Sequence, residues 1–370
     1  MLATSAAFGR AFVHGAARSL IGRAVLLATL VIAMGAPVPR AAAAAAAAAP
    51  ANTVPVPSYM FIHDPSMIRE DNTWYLFSTG DPNGGVNDGD IQIRESTDLR
   101  TWHLVGTVFR TIPSWITNRV LGVQSLWAPD ISYYGGLYHL YYAASSFGAN
   151  DSLIALATNR TLDPSSPDYH WKDDGLVFFS VVADNYNAID PALISAPGGA
   201  KWLLFGSFWG GIHLLRLDAA TGLPASPHPT LYSLSEAPAP DPEEGSYMIY
   251  HDGFYYLFIS YGYCCKAIGS TYEILVGRSQ AITGPFVDPN GTTMTAGGGM
   301  ELQGSTDGMI GPGGPSVTLD GGNFLIDYHY YDAWAAGQPW LQVRRLYWSA
   351  DGWPITGAAM VPVPGAPPGA

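Results

Sequence analysis

The run WYLFS at 74–78 returns four more times along the chain in altered form. Its counterparts are YHLYY at 138–142, WLLFG at 202–206, YYLFI at 255–259 and FLIDY at 324–328. Each run is made of aromatic and aliphatic residues that favour β-strands, and a turn residue such as Asn72, Gly136 or Gly253 stands shortly before it. The starts of the runs are separated by 64, 64, 53 and 69 residues. A propeller blade of four short strands needs roughly 40–50 residues and tolerates longer loops, so the repeat predicts an all-β fold, a five-bladed β-propeller.

The composition agrees with this fold and limits the kind of partner. Hydrophobic residues make up 48% of the 370 residues and charged residues only 13%, which excludes a disordered chain. The 42 glycines and 29 prolines favour many turns. The net charge is −13, and the first 50 residues hold four arginines and no acid, which leaves −17 on the rest. Such an acidic chain lacks the positive surface that nucleic acids and anionic membranes require, whereas a neutral substrate is compatible with it.

The first 50 residues have the pattern of an export signal. Arg10, Arg18 and Arg23 precede an apolar run at 24–36, and nine alanines follow at 41–49. The apolar run is shorter than the roughly 20 residues that span a bilayer, although an uncleaved membrane anchor remains the alternative. We therefore predict a signal peptide and Ala-rich leader at 1–50, the propeller at 51–356 and a Pro/Gly-rich tail at 357–370, in a secreted monomer.

A short motif precedes each of the five runs. In chain order the motifs are HDP at 63–65, APD at 128–130, IDP at 189–191, EEGS at 243–246 and GPGG at 311–314. Equivalent positions of successive blades face the same central channel, so we expect Asp64, Asp190 and Glu244 to converge at one end of it. Asp130 lies at a different offset within its motif and is the expected structural member of the set.

Three clustered carboxylates have several uses. They cannot all ionise cheaply, and a protonated acid that faces an ionised one is the equipment of glycoside hydrolysis. Binding of a hard cation is a second use, and Asp-Pro pairs are also ordinary turn initiators. Aromatic rings near the motifs would stack on the apolar faces of sugar rings: Trp127, Phe147, Tyr186, Trp209 and Tyr247. Polar side chains would hydrogen-bond the sugar hydroxyls: Asn187, Ser207, Ser270 and Arg278.

These motifs, taken together, resemble a known family. The matching stretches run through 60–354 and include HDPS at 63–66, WYLFSTG at 74–80, LWAPDI at 126–131, NAIDP at 187–191, FGSFWGGI at 205–212, STY at 270–272 and DGWP at 351–354. They are similar to the family 43 glycoside hydrolases, and among these to the arabinan endo-1,5-α-L-arabinosidases, or arabinanases.

The resemblance implies a role for each acid. Asp64 corresponds to the general base that activates water, Asp190 to the carboxylate that tunes and orients the acid, and Glu244 to the general acid. Glu243 and Glu236 are rivals for the last role. We prefer Glu244 because it stands 11 residues before its aromatic run, within the spacing of the other motifs, whereas Glu236 stands 19 before it. His63 joins Trp127, Phe147, Asn187, Ser207, Trp209, Ser270 and Arg278 as an expected substrate contact.

One departure from the family concerns a metal. Bacterial arabinanases often carry Gly-x-Gly-His in the fifth blade, and that histidine helps to hold an ion in the channel. Here Gly314 stands in its place. We therefore predict no metal site, with a calcium ion on other ligands as the alternative. We expect His329, in the run after this motif, to be a packed or hydrogen-bonded strand residue.

The resulting prediction is a secreted inverting hydrolase of α-1,5-arabinan, the polymer of pectin side chains. Its base and acid carboxyls should lie roughly 6.5–9.5 Å apart, which leaves room for a water. An exo-acting arabinofuranosidase or β-xylosidase of the same family is one alternative, and a non-catalytic carbohydrate-binding propeller is another. The two cysteines, Cys264 and Cys265, are adjacent, so they form either a vicinal disulfide or two thiols.

Overall fold

Five antiparallel sheets of four strands each follow one another along the chain, and within each sheet the strands are hydrogen-bonded in chain order. The structure is a computed structural model that describes residues 61–80, 90–306 and 308–363. The predicted export signal lies outside the described residues. The described residues all belong to one unit, Val54–Ala370.

Each sheet is one blade, numbered 1 to 5 in chain order. The strands are β1 (Ser66–Glu70), β2 (Thr73–Ser78), β3 (Asp90–Ser96) and β4 (His103–Phe109) in blade 1; β5 (Trp127–Tyr134), β6 (Leu137–Ala144), β7 (Ser152–Asn159) and β8 (Lys172–Ser180) in blade 2; β9 (Ala192–Ser195), β10 (Lys201–Phe205), β11 (Ile212–Leu217) and β12 (Tyr232–Ser235) in blade 3; β13 (Glu243–His251), β14 (Phe254–Tyr261), β15 (Glu273–Ser279) and β16 (Met300–Gln303) in blade 4; β17 (Met309–Asp320), β18 (Asn323–Asp332), β19 (Gln338–Trp348) and β20 (Pro354–Ala359) in blade 5.

Helices are few and short in the described part of the chain. The α-helix α1 covers Ser114–Arg119, and single 3₁₀ turns cover Ala267–Gly269, Met294–Ala296 and Ala333–Ala335. Among the described residues no helix has the length and apolar character needed to cross a bilayer.

The repeated run is the second strand of every blade, and both of its faces are buried. In β2, Tyr75 and Phe77 pack into a cluster shared with blade 2, whereas Trp74 and Leu76 pack into one shared with blade 5. Successive side chains of a strand point to opposite faces of the sheet. A strand with a neighbouring blade on each side must therefore be apolar at nearly every position, which explains the unbroken aromatic runs.

Five apolar clusters join successive blades and close the ring. The cluster between blades 5 and 1 brings Leu325, Leu341 and Val343 against Met67 and Leu76. The first strands also contact one another in sequence, from β1 through β5, β9, β13 and β17 back to β1. The predicted five-bladed β-propeller is confirmed.

The end of the domain differs from the prediction. Strand β20 (Pro354–Ala359) crosses the predicted boundary at 356. Val361 is 1% exposed in the cluster that closes the ring, and its N–H donates to Gln342 Oε1 at 3.0 Å. The propeller therefore extends at least to residue 361, and the predicted tail starts too early. The glycines and prolines that suggested a tail begin inside the last strand.

Candidate active site

The three predicted acids line one cavity of about 860 Å³. Asp64 and Asp190 directly precede Pro65 and Pro191 ahead of β1 and β9, and both have a left-handed backbone, with φ of 50° and 55°. Glu244 lies in β13, where the register with β14 shifts between Glu244 and Tyr247. Such a bulge re-aims the side chains of a strand. The first strands of three blades thus deliver three carboxyl groups to a shared space.

Asp64 is surrounded by hydrogen-bond donors. His63 Nδ1 donates to Asp64 Oδ2 at 2.8 Å, and Thr79 Oγ1 donates to the same oxygen at 2.7 Å. The backbone N–H of Asp64 donates to His329 Nδ1 at 3.1 Å. Burial would raise the pKa of the Asp64 carboxyl, but the charge and hydrogen bond of His63 outweigh burial and hold the pKa well below its usual value. Asp64 is therefore an ionised carboxylate.

Glu244 has the opposite environment. Ser207 Oγ donates to Glu244 Oε2 at 2.6 Å, and the Tyr272 hydroxyl donates to Oε1. Burial raises the pKa of Glu244, and these two hydrogen bonds offset only part of the rise. A buried carboxyl with neutral donors and a raised pKa keeps its proton to higher pH, as a general acid must.

Asp190 resembles Glu244 rather than Asp64 in its surroundings. Its Oδ2 accepts the N–H of Gly245 at 3.0 Å, directly beside Glu244. Burial raises the pKa of Asp190 well above the usual value, and the negative charges of Glu244 and Asp64 raise it further. Asp190 and Glu244 therefore form a pair of carboxyls in which ionisation of one opposes ionisation of the other.

A repeated, mostly polar position that the sequence reasoning did not single out connects neighbouring blades at the cavity end of the propeller. The sixth position of the repeated run is Thr79, Ala143, Ser207, Ser260 and His329 in blades 1 to 5. Four of these five reach the first strand of the next blade: Thr79 accepts the N–H of Ala128, Ser207 donates to Glu244, Ser260 accepts the N–H of Gly314, and His329 accepts the N–H of Asp64. The repeat itself held this signal, because the position follows directly after each aromatic run.

Most of the predicted substrate contacts line the cavity. They are His63, Trp127, Phe147, Asn187, Ser207 and Trp209. Phe147 is 80% exposed and Trp209 37% exposed, so both rings are open at the mouth of the cavity. Asn187 is buried, and its Oδ1 has no partner among the described residues, so it is available to a ligand. Further lining residues that the sequence reasoning missed are Thr79, Phe208, Tyr263 and Tyr272.

Arg278, a predicted substrate contact, does not line the cavity. Its Nη1 donates to the carbonyl of Asp351 at 2.8 Å, and its guanidinium lies 4.4 Å from the ring centroid of Trp353. The side chain stands six residues after Tyr272, near the far end of β15, and six residues of strand span about 20 Å. Arg278 therefore fixes the end of β15 to the DGWP turn of blade 5.

Three further candidates are structural. Ser270, also a predicted substrate contact, is buried outside the cavity lining, and its Oγ accepts the N–H of Lys266 at 3.0 Å. Tyr186 packs against Phe205, and Tyr247 lies in the channel below the cavity rather than on its wall. These three side chains are of a kind that could contact a sugar, but they lie away from the cavity wall.

The two rival glutamates and Asp130 have surroundings that differ from those of Glu244. Glu243 is 1% exposed, does not line the cavity, and has a pKa that burial raises to about 8. Glu236 lines the cavity at its rim but is exposed to solvent. Asp130 is buried and accepts from Ser66 Oγ at 3.2 Å and from the N–H of Leu193 at 2.7 Å, which ties three blades together, as expected of a structural residue.

His63, Asp64 and His329 are close enough to form a metal cluster, but the ring nitrogens that face Asp64 are engaged in hydrogen bonds. His63 uses both ring nitrogens, on Asp64 and Tyr331, and His329 Nδ1 accepts the Asp64 N–H. A Cβ at Gly314 would lie 2.9 Å from both Asp64 Oδ1 and His329 Nδ1. These residues do not fit an ion held by a side chain at position 314. The prediction of no metal stays a prediction, and His329 is a buried, hydrogen-bonded strand residue as expected.

Cys264 and Cys265 form a disulfide, which resolves the alternative left by the sequence. Both residues line the cavity, and Cys265 has a left-handed backbone with φ of 64°. They belong to the loop 263–270 between β14 and β15, which we call the disulfide turn.

Comparison with known proteins gives a consistent result. The model of the Glycosyl hydrolases family 43 matches residues 54–354. The extracellular endo-α-(1→5)-L-arabinanase 1 of Bacillus subtilis strain 168 is 42% identical over 295 residues, or 79% of this chain and 87% of that protein. The extracellular exo-α-(1→5)-L-arabinofuranosidase ArbA of Cellvibrio japonicus is 39% identical over 305 residues, or 79% of this chain and 85% of that protein. A solved GH43 endo-arabinanase from Bacillus licheniformis has a TM-score of 0.74 at 42% identity and covers 81% of this chain and 98% of that one. The chain belongs to glycosyl hydrolase family 43.

Proposed function

We propose that this protein is an endo-1,5-α-L-arabinanase that cleaves arabinan by a single displacement with inversion. The observation that carries the proposal is the contrast between two carboxyls on one cavity: Asp64, held ionised, and Glu244, held towards its protonated form. Inverting glycosidases need this pair, one carboxylate to activate water and one carboxylic acid to protonate the leaving oxygen. Membership of a glycosidase family and the names of the relatives support the reaction and the linkage.

The geometry of Asp64 suits a general base. Its Oδ2 already accepts two hydrogen bonds, from His63 and Thr79, which fixes the plane of the carboxylate. Its Oδ1 keeps free lone pairs with which it takes a proton from the attacking water. The resulting hydroxyl forms the new bond to the anomeric carbon while the bond to the leaving oxygen breaks.

Glu244 completes the reaction as the general acid. It gives its proton to the glycosidic oxygen as that bond breaks, and the carboxylate that forms is stabilised by the hydroxyls of Ser207 and Tyr272. Asp190 accepts the N–H of Gly245 and thereby fixes the backbone beside Glu244, and ionisation of Asp190 opposes loss of the Glu244 proton, since the two buried carboxyls disfavour a second negative charge. Charge is conserved, because Asp64 gains one proton from the attacking water while Glu244 loses one to the leaving oxygen.

The exposed aromatic rings favour cleavage within the chain. Phe147 and Trp209 lie open at the cavity mouth, where they offer stacking surfaces for sugars beyond the cleaved bond. An enzyme that removes single terminal sugars needs little surface of that kind. A relative named as an endo enzyme and one named as an exo enzyme have similar sequence identity to this chain, 42% and 39%. An exo-acting arabinofuranosidase is therefore the second candidate.

Product analysis tests the proposal. Linear arabinan should yield a ladder of oligomers in early samples, with the β-anomer formed first when the reaction is followed by NMR. Arabinose alone from the start would indicate exo action, and an α-anomer formed first would contradict inversion. Binding of arabinan without any product would indicate the non-catalytic alternative. We further propose that the protein is secreted, as its leader and the extracellular relatives suggest, and the N-terminus of protein recovered from culture medium tests this.

A further inference from the structure

A continuous set of hydrogen bonds leads from the disulfide turn to Asp64. The N–H of Cys265 donates to the Tyr331 hydroxyl oxygen at 2.8 Å. That oxygen lies 2.7 Å from His63 Nε2, and His63 Nδ1 donates to Asp64 Oδ2 at 2.8 Å. Because the Asp64 oxygen only accepts, the Nδ1 proton of His63 is assigned to this bond. The positive charge of His63 that lowers the pKa of Asp64 requires a proton on Nε2 as well, so the Tyr331 oxygen accepts from both His63 Nε2 and the Cys265 N–H. The Tyr331 hydroxyl in turn donates towards Cys265 Sγ at 3.9 Å, so every donor in the series has an acceptor.

Tyr331 contributes to this series from outside the cavity. It lies in β18, is 3% exposed and is not a lining residue, so it does not reach a substrate. Its hydroxyl is the point where the turn of blade 4 meets His63 of blade 1. The ring of His63 is otherwise stacked on His329, with centroids 3.7 Å apart, which fixes its plane but leaves rotation within that plane to the hydrogen bonds.

The disulfide turn holds the N–H of Cys265 in position. Cys265 and Ala267 both have a left-handed backbone conformation, which residues other than glycine rarely adopt. The turn is closed by bonds from the N–H of Thr271 to the carbonyl of Tyr263 at 2.9 Å and from the N–H of Lys266 to Ser270 Oγ at 3.0 Å. The covalent bond between Cys264 and Cys265 restricts this unusual backbone further.

We propose that Tyr331 is a positioning residue for the base Asp64, that it acts through His63, and that the disulfide between Cys264 and Cys265 keeps it aligned. This inference rests on the proposed function, since it assumes that Asp64 activates water. The disulfide turn would thus form one wall of the cavity and also orient the reacting carboxylate. A role in orientation predicts a loss of turnover with little change in substrate affinity or stability.

The Tyr331→Phe variant tests the first part. It removes one oxygen and preserves the ring, so kcat on linear arabinan should fall about 3- to 10-fold, the rate equivalent of one hydrogen bond. KM should stay within about twofold, because Tyr331 does not touch the substrate. The matched control is Tyr347→Phe, the same change at a 53% exposed position of blade 5, which should leave kcat unaltered. An unaltered kcat in Tyr331→Phe, or a change in KM alone, would overturn the proposal.

The double variant Cys264→Ser/Cys265→Ser tests the link to the disulfide. If the disulfide acts through Tyr331, the double variant should lose kcat in the wild-type background and little more in the Tyr331→Phe background. Losses that multiply independently would overturn the link. Treatment with dithiothreitol gives a second measurement, in which the reagent becomes a cyclic disulfide and both cysteines become thiols. The chain has only these two cysteines, so the double variant is its control and should not respond.

Two outcomes separate this inference from the proposed function. An inactive Asp64→Ala together with a fully active Tyr331→Phe would refute only the positioning role. An active Asp64→Ala would refute the assignment of the base itself. Thermal unfolding of every variant shows whether a lost rate reflects a lost fold.

Discussion

The surroundings of Asp64 and of Glu244 differ although both carboxyls come from the beginnings of their blades, just before β1 and within β13. Asp64 meets an imidazole and a hydroxyl, and its pKa is lowered. Glu244 meets two hydroxyls in a buried position, and its pKa is raised. A ring of repeated blades therefore does not make its carboxyls equivalent. The side chains that each neighbouring blade presents decide which carboxyl is a base and which is an acid.

The largest expected effect comes from removing either carboxyl. Asp64→Ala and Glu244→Ala should each lower kcat on arabinan by about 10²–10⁴-fold, the usual contribution of general acid–base groups. Glu243→Gln is the matched control, since Glu243 is the adjacent residue in the chain but points away from the cavity. Its kcat should stay within about threefold of wild type, because its raised pKa already favours the neutral form that glutamine mimics. An inactive Glu243→Gln with an active Glu244→Ala would show that the acid is misassigned.

The nature of the leaving group distinguishes the two roles. An arabino-oligosaccharide with a nitrophenol leaving group needs no protonation, so Glu244→Ala should recover much of its activity on this substrate. Asp64→Ala should stay inactive on it, because water must still be activated. Initial rates on both substrates give the ratio for each variant. Equal losses on both substrates for Glu244→Ala would argue against its role as the acid.

The repeat predicted the architecture because each aromatic run must be buried on both faces. It also placed Asp64, Asp190 and Glu244 on one cavity, since equivalent positions of successive blades face the same channel. It could not predict the partners of each acid. Ser207 reaches Glu244 from the preceding blade, and Tyr272 from the end of the loop before β15. Such contacts depend on the rotation between blades, which sequence spacing does not specify.

Two of the predicted substrate contacts do not line the cavity, for a related reason. Ser270 and Arg278 lie near Tyr272 in the sequence, yet only Tyr272 lines the cavity. A strand alternates its faces and moves away from the site by about 3.3 Å per residue, so closeness in sequence is a poor measure of closeness to a ligand. The sixth position of the run was the better signal, because its distance from each strand start is constant.

The hydrogen-bond donors of the two acids should control the pH dependence. Ser207→Ala removes a bond that stabilises the Glu244 carboxylate, so the pKa of Glu244 should rise and the alkaline limb of kcat/KM should move to higher pH. Thr79→Val removes a bond that stabilises the Asp64 carboxylate, so the acidic limb should also move to higher pH. The measurement is kcat/KM across the pH range for both variants. Both limbs moving in Ser207→Ala would show that the two carboxyls share these donors.

The smallest expected effect is that of a chelator. Gly314 offers no ligand, and the nitrogens that face Asp64 are engaged in hydrogen bonds, so we expect the protonation of Asp64 not to depend on an ion. Activity after exhaustive dialysis against a chelator should therefore stay within about twofold of the untreated enzyme, well below the loss expected from removing a hydrogen-bonded acid or base. Re-addition of calcium to the dialysed protein is the control. A large loss that calcium restores would contradict the prediction, and it would mean that carboxylates and waters of the channel hold a cation without a histidine at position 314.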